Sequence, residues 1–158
     1  MLRDAILDDS EFICDLILSE AKAGHFVKEL LDPVQSTLLR VDTNRIIQEN
    51  KRTNGETAKA LNWEENYIPI GFMILSSVQE GQGTELWMMA MSKEHRSMGK
   101  GKKFIDEVLS YFPSTQAIGA RCFAASDAMC HILTTRNFKL ITTDEYGTRI
   151  LFRNLTSI

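Results

Sequence analysis

Residues 85–112 read ELWMMAMSKEHRSMGKGKKFIDEVLSYF, and this stretch decides how the chain is organised. An apolar run ends near Ser92. A loop follows in which Lys93, Arg96, Lys100, Lys102 and Lys103 face the single acid Glu94. From residue 101 to residue 112 the spacing predicts a helix. Phe104, Ile105, Val108, Leu109 and Phe112 fall on one face, with Lys102, Lys103, Asp106 and Glu107 on the other. Pro113 ends it. Gly99 and Gly101 sit where the helix starts.

A helix start leaves its first N–H groups unpaired and carries the positive end of the helix dipole, so it attracts phosphate. Glycine lets the backbone approach such a ligand closely, and lysines add charge. The ligand implied is a polyanion, most simply a pyrophosphate. Three phosphate motifs compete for the segment. A P-loop needs glycine where Glu94 stands and Ser or Thr where Gly101 stands. A dinucleotide fingerprint beginning at Gly99 needs glycine where Phe104 stands. The pattern Arg/Gln-x-x-Gly-x-Gly/Ala is matched in full by Arg96-Ser97-Met98-Gly99-Lys100-Gly101.

Outward from this segment, residues 68–77 and 84–92 read as strands buried on both faces. Gly81-Gln82-Gly83 would join them as an antiparallel hairpin. Before them, residues 2–7 suggest a first strand. Asp8 with Glu11 forms a capping-box pattern ahead of a helix carrying Phe12, Ile13, Leu16, Ile17 and Glu20/Ala21, with Gly24 as its stop. Asp32-Pro33 opens a second helix, with Val34, Leu38 and Val41 as its apolar stripe, fading between residues 48 and 51. Residues 43–66 carry little pattern and read as a loop, with a short strand near 58–63. Beyond Pro113, residues 117–123 give a fifth strand, and Ser126 caps a helix that ends at Asn137 in left-handed conformation. Residues 138–143 and 148–153 form a closing hairpin. The fold class is α+β, mixed α/β, with helices on a largely antiparallel central sheet.

With the hexapeptide in this setting, the chain resembles the GNAT superfamily of N-acetyltransferases from its first strand to its last, as one domain over residues 1–158. Ile70-Gly71-Phe72 and the segment 129–138 are also similar to segments of that superfamily. The resemblance implies acetyl-CoA as co-substrate, no metal, and transfer to an amine by direct attack in a ternary complex. It implies that the backbone of Met89 and Met91 pairs with the pantetheine arm like an added strand. The amides of Ser97, Met98, Gly99, Lys100 and Gly101 would hold the pyrophosphate, with Arg96 opening the motif, and Ser126 would touch the arm. Glu85 aligns with the general base of the histone-acetylating branch. Partial burial beside Leu86 and Trp87 would raise its pKa, while a plain solvated strand-start glutamate is the competing reading. The family's tyrosine acid falls at Leu133, which cannot donate a proton; Tyr111, Tyr146, His131 and water stay open as substitutes. Leu133 also keeps alive a non-catalytic acyl-CoA sensor.

The bulk numbers agree with this reading. The chain has 158 residues, a net charge of -3 and a pI near 5.6, which disfavours a nucleic-acid partner. Cys14, Cys122 and Cys130 suggest neither a disulfide framework nor a zinc site. No apolar run is long enough to span a membrane. The expectation is a cytoplasmic enzyme acting on a small-molecule or peptide amine, with a homodimer through the last hairpin possible. His25 and His131 read as isolated histidines, and His95 as facing solvent.

Overall fold

The strands are β1 (Leu2–Asp4), β2 (Ala58–Glu65), β3 (Ile68–Val78), β4 (Gly83–Met91), β5 (Ile118–Cys122), β6 (Lys139–Thr143) and β7 (Arg149–Arg153). The helices are α1 (Ser10–Lys22), α2 (Pro33–Glu49), α3 (Lys100–Ser110) and α4 (Asp127–Thr134). They come from a computed structural model that describes residues 1–154 except 79–82 and 97. The turn expected at Gly81-Gln82 and the candidate Ser97 lie outside the described residues.

The strands form one sheet in the order β1-β2-β3-β4-β5-β7-β6. Every neighbouring pair is antiparallel except β4 and β5. This is the mixed, largely antiparallel sheet expected from the sequence. One face packs Trp63, Met73, Leu86, Ile118 and Leu151 under α3 and α4. The other packs Ala60, Phe72, Ile74 and Ala90 under α1 and α2. Strand side chains alternate between faces, so β2, β3 and β4 need apolar residues on both sides.

Several local expectations are corrected. β1 stops at Asp4. The cap before α1 is not the Asp8–Glu11 pair: Asp9, only 5% exposed, is the residue turned inward. Its carboxylate accepts hydrogen bonds from the Ile6 amide at 2.8 Å and from Arg3 at 2.7 and 3.0 Å. The stripe Val34, Leu38 and Val41 faces outward; α2 buries Leu39, Thr43 and Ile46 instead. The apolar positions of α2 lie on two sides, so periodicity alone picked the wrong one. Asp32 does cap α2, accepting from the amides of Val34 and Gln35. The loop expected over 43–66 is helix as far as Glu49 and strand from Ala58. β4 is half-buried along much of its length rather than buried throughout.

The Asp9 cluster gives the fold an acid-sensitive point. Burial alone would raise the Asp9 carboxyl, but the hydrogen bonds from Arg3 and the Ile6 amide outweigh it and hold it below the usual range. A lowered folded-state pKa contributes stability that is present above the unfolded value of about 3.9. That contribution is lost as pH falls through the lower folded value. Asp9→Asn is expected to cost about 2 kcal/mol at neutral pH, since it leaves Arg3 short of a partner. Melts at pH 7 and pH 3 should show the wild-type advantage shrinking in acid.

Candidate active site

β4 runs nine residues, yet it pairs with β5 only through Thr84, Glu85 and Leu86, opposite Ile118, Gly119 and Ala120. The separation begins at a β-bulge. On the β3 side, Ile74 faces Met88 and Leu75 faces Leu86, which leaves Trp87 without an opposite number. A bulge bends its strand and increases the local twist. From Trp87 onward β4 therefore leaves β5, and a slit opens between the two central strands.

The register shows what lines the slit. Ser92 donates to the Ile70 carbonyl at 2.8 Å, and Phe72 opposes Ala90. Hydrogen-bonded pairs alternate in an antiparallel ladder. Met89 and Met91 therefore turn their main-chain groups away from β3, toward the slit. A cavity of about 400 Å³ occupies this opening. On the α3/α4 side its walls include Met89, Met91, Gly99, Gly101, Met129 and Leu133; on the α1 side they include Glu20, His25, Phe26, Trp87 and Arg121. The cavity therefore passes through the sheet from one face to the other.

Gly99 stands at the N-cap of α3 with φ 74° and ψ 2°, a left-handed conformation suited to glycine. No side chain caps the helix, so its first amides are open. A β-carbon added at Gly99 or at Gly101 would meet nothing within 4 Å. Open space, bare amides and two small residues at the cavity rim fit the pyrophosphate of a coenzyme A. The slit beside Met89 and Met91 fits an extended arm.

The basic side chains of this loop are largely committed elsewhere. Arg96 bonds Glu20 and donates through Nε to the Met91 carbonyl at 2.9 Å. It thus ties the loop to α1 and to the end of β4. Lys100 donates to Glu65 at 2.9 Å and to His95 Nδ1 at 2.9 Å, so His95 is engaged rather than free in solvent. That lysine holds the Glu65 carboxyl below its usual range. Met98 is 62% exposed and does not line the cavity. The groups that could still meet an anion here are the backbone amides and Lys102, which lines the cavity.

Residues that pattern-reading passed over gather on the α1 side. Glu20 is 5% exposed at an apolar position of α1. An acid inside an otherwise apolar stripe was the available signal for it. His25 is not isolated: its Nδ1 lies 2.8 Å from Ser126 Oγ and its Nε2 lies 4.0 Å from Glu20. Ser126 sits at the N-cap position of α4, but its hydroxyl turns to His25 instead of capping the helix. Glu85 does not line the cavity, although its neighbours Leu86 and Trp87 do. Burial pushes its carboxyl up, with Arg121 and Arg52 opposing that shift. Leu133 is 1% exposed within the α3/α4 core. Trp63 is a core residue, its ring 5.4 Å from that of Phe104.

The sequence profile of the acetyltransferase (GNAT) family matches residues 25–138. The chain belongs to that family. This acetyltransferase takes its acetyl group from acetyl-CoA. No curated protein matches its sequence at a significant level. Its fold is similar to that of the PaiA N-acetyltransferase of Thermoplasma acidophilum in complex with coenzyme A. The TM-score there is 0.72 at 15% identity, covering 98% of each chain. It is also similar to a phosphinothricin acetyltransferase of Sinorhizobium meliloti in complex with acetyl-CoA, with TM-score 0.70 and 18% identity over 97% of this chain and 86% of that one. A spermidine N-acetyltransferase chimera that includes Vibrio cholerae sequence gives TM-score 0.69 and 15% identity over 97% and 95%. Among the described residues, no group of three His, Cys, Asp or Glu could hold a metal ion. No described helix is long and apolar enough to cross a membrane.

Proposed function

We propose that this acetyltransferase is a single-domain N-acetyltransferase that joins the acetyl group to an amine by direct attack in a ternary complex. The observation that carries the reading is the cavity crossing the sheet at the β4/β5 slit. Two molecules can meet there from opposite faces, the thioester from the α3/α4 side and the amine from the α1 side. Met89 and Met91 would hold the pantetheine arm. The amides of Met98, Gly99, Lys100 and Gly101 would hold the pyrophosphate, with Ser97 completing the motif and Arg96 bracing it. A small-molecule amine or a peptide amine in the cytoplasm is the acceptor this reading supports.

An amine is mostly protonated at neutral pH and must lose its proton before it attacks. Glu85, raised by burial and close to the head of the slit, is the base we assign, acting through a water because it does not reach the cavity itself. The nitrogen–carbon bond then forms and the carbon–sulfur bond breaks, with a main-chain N–H near Met91 facing the carbonyl oxygen as it gains charge. The departing sulfur needs a proton. Ser126, lining the cavity with His25 behind it at 2.8 Å, is the donor that makes good the absent tyrosine. Its proton is replaced from His25, taken with its hydrogen on Nδ1, the nitrogen that faces Ser126. The nitrogen of the amine sheds two protons in all. The one taken from the ammonium passes through Glu85 to solvent. The one lost as the amide forms returns through water to His25 Nε2, so the proton given to sulfur is made good.

Leu133 favours one other reading, an acyl-CoA sensor. A steady-state assay of free coenzyme A release against a panel of amines separates the two. Turnover that depends on the amine is expected; acetyl-CoA binding without turnover on any amine would favour the sensor.

A further inference from the structure

On the α1 side of the slit, the charges lining the cavity are unevenly matched. Seven of the nine arginines face a carboxylate within ion-pair distance among the described residues. Arg121 and Arg153 do not, and of those two only Arg121 lines the cavity. Glu20, the one acid in the lining, is already engaged by Arg96.

The strand geometry fixes where Arg121 points. Its neighbours Ala120 and Cys122 both belong to the α3/α4 core, so alternation turns Arg121 to the α1/α2 face. Trp87 packs on that same face and also lines the cavity. The guanidinium of Arg52 lies 3.8 Å from the centre of the Trp87 ring. Its Nη1 meets Glu56 at 2.9 Å, while its Nε is buried without a partner. The acceptor side of the slit thus offers Trp87 and Arg121 in its wall, with Arg52 stacked on the indole from outside the lining. Glu85 acts on Arg121 electrostatically, but no carboxylate among the described residues lies within ion-pair distance of it.

We infer that the acceptor is an amine that also carries a carboxylate, with Arg121 binding the carboxylate and Trp87 covering the carbon skeleton. The inference rests on the amine-transfer reading above and narrows it. Guanidinium groups bind carboxylates through paired, charge-assisted hydrogen bonds. An acceptor with only positive charges would meet Arg121 as a like charge and give it no contact partner. An amino acid, or a short peptide with a free N-terminus and a nearby carboxylate, satisfies both ends: the nitrogen reaches the slit and the carboxylate reaches Arg121.

The test uses acceptors that differ only in the carboxylate. Phenylalanine is paired with phenethylamine and lysine with cadaverine, and spermidine is added as a wholly cationic amine. kcat/KM is measured for the wild type, Arg121→Gln and Arg121→Lys, each first shown to keep its melting shift with acetyl-CoA. The wild type is expected to favour the carboxylated member by about tenfold or more, as a charge-assisted pair worth at least 1.4 kcal/mol would give. Arg121→Gln should bring that ratio toward one, and Arg121→Lys should restore part of it. A wild-type preference for the decarboxylated members or for spermidine overturns the inference and leaves amine transfer standing. So does a ratio that Arg121→Gln leaves unchanged. Turnover of no amine at all, with acetyl-CoA still bound, overturns both.

Discussion

Gly101→Glu is expected to leave the free protein as stable as the wild type, or slightly more so, while removing most of its affinity for acetyl-CoA. The two effects part because of where the residue sits. An added β-carbon at Gly101 meets nothing within 4 Å, so the fold has room for the side chain. The position lies in the first turn of α3, where an acid suits the helix dipole and where glycine is a poor helix former by about 1 kcal/mol. The same carboxylate would stand where the proposed function puts the pyrophosphate. It would repel that group and block the amides. A loss of about 100-fold in affinity corresponds to roughly 2.7 kcal/mol. Melting curves with and without acetyl-CoA check this directly: an unchanged apo midpoint with a lost ligand shift is the expected pair of results. A ligand shift equal to that of the wild type would mean that the anion binds elsewhere.

Glu85→Gln carries the second large effect, again with stability and activity moving apart. Burial raises the Glu85 carboxyl above its ordinary value, and Arg121 and Arg52 only partly offset this. A raised folded-state pKa contributes stability that is full below the unfolded value and is lost as pH rises through the folded one. At neutral pH the ionised form is therefore a cost to the fold, and glutamine removes that cost. The variant should melt slightly higher than the wild type. If Glu85 collects the amine's proton, kcat should fall by about 100-fold or more, within the range general base catalysis supplies. Wild-type kcat should climb with pH as the carboxyl ionises, and the variant should lose that limb. The melting shift with acetyl-CoA should persist. A variant that keeps wild-type kcat would transfer the role of base to His25, which does line the cavity.

The sequence carried the architecture well, for identifiable reasons. α3 was legible because Phe104, Ile105, Val108 and Leu109 mark a single face, and all four are buried. β3 was legible because an apolar run with glycine and proline only near its start has few other uses. α2 was harder: its apolar residues lie on two sides, and only packing against the sheet shows that Leu39 and Ile46 are the inward ones. β2 was nearly hidden, because Asn62 and Glu64 are buried polar residues within it and break the apolar pattern. At the site, the Gly99–Gly101 turn could be read because glycine at a helix start has a local cause. Glu20, His25 and Arg121 could not, because they converge from α1, the segment after it, and β5, and their meeting is a property of the slit. The slit in turn depends on a bulge at Trp87 that no residue pattern announces.

The seam between β4 and β5 also has a mechanical meaning. β2, β3 and β4 follow one another as neighbouring antiparallel strands, and β5, β7 and β6 form a second run in which β6 and β7 are a hairpin. The two halves of the sheet join through three residue pairs, reinforced by the core beneath α3 and α4. Local openings in proteins occur in contiguous units that often coincide with supersecondary motifs. The two runs of strands are such units, and the seam between them is where the proposed function brings thioester and amine together. Widening along that seam would leave the ladders within each half intact.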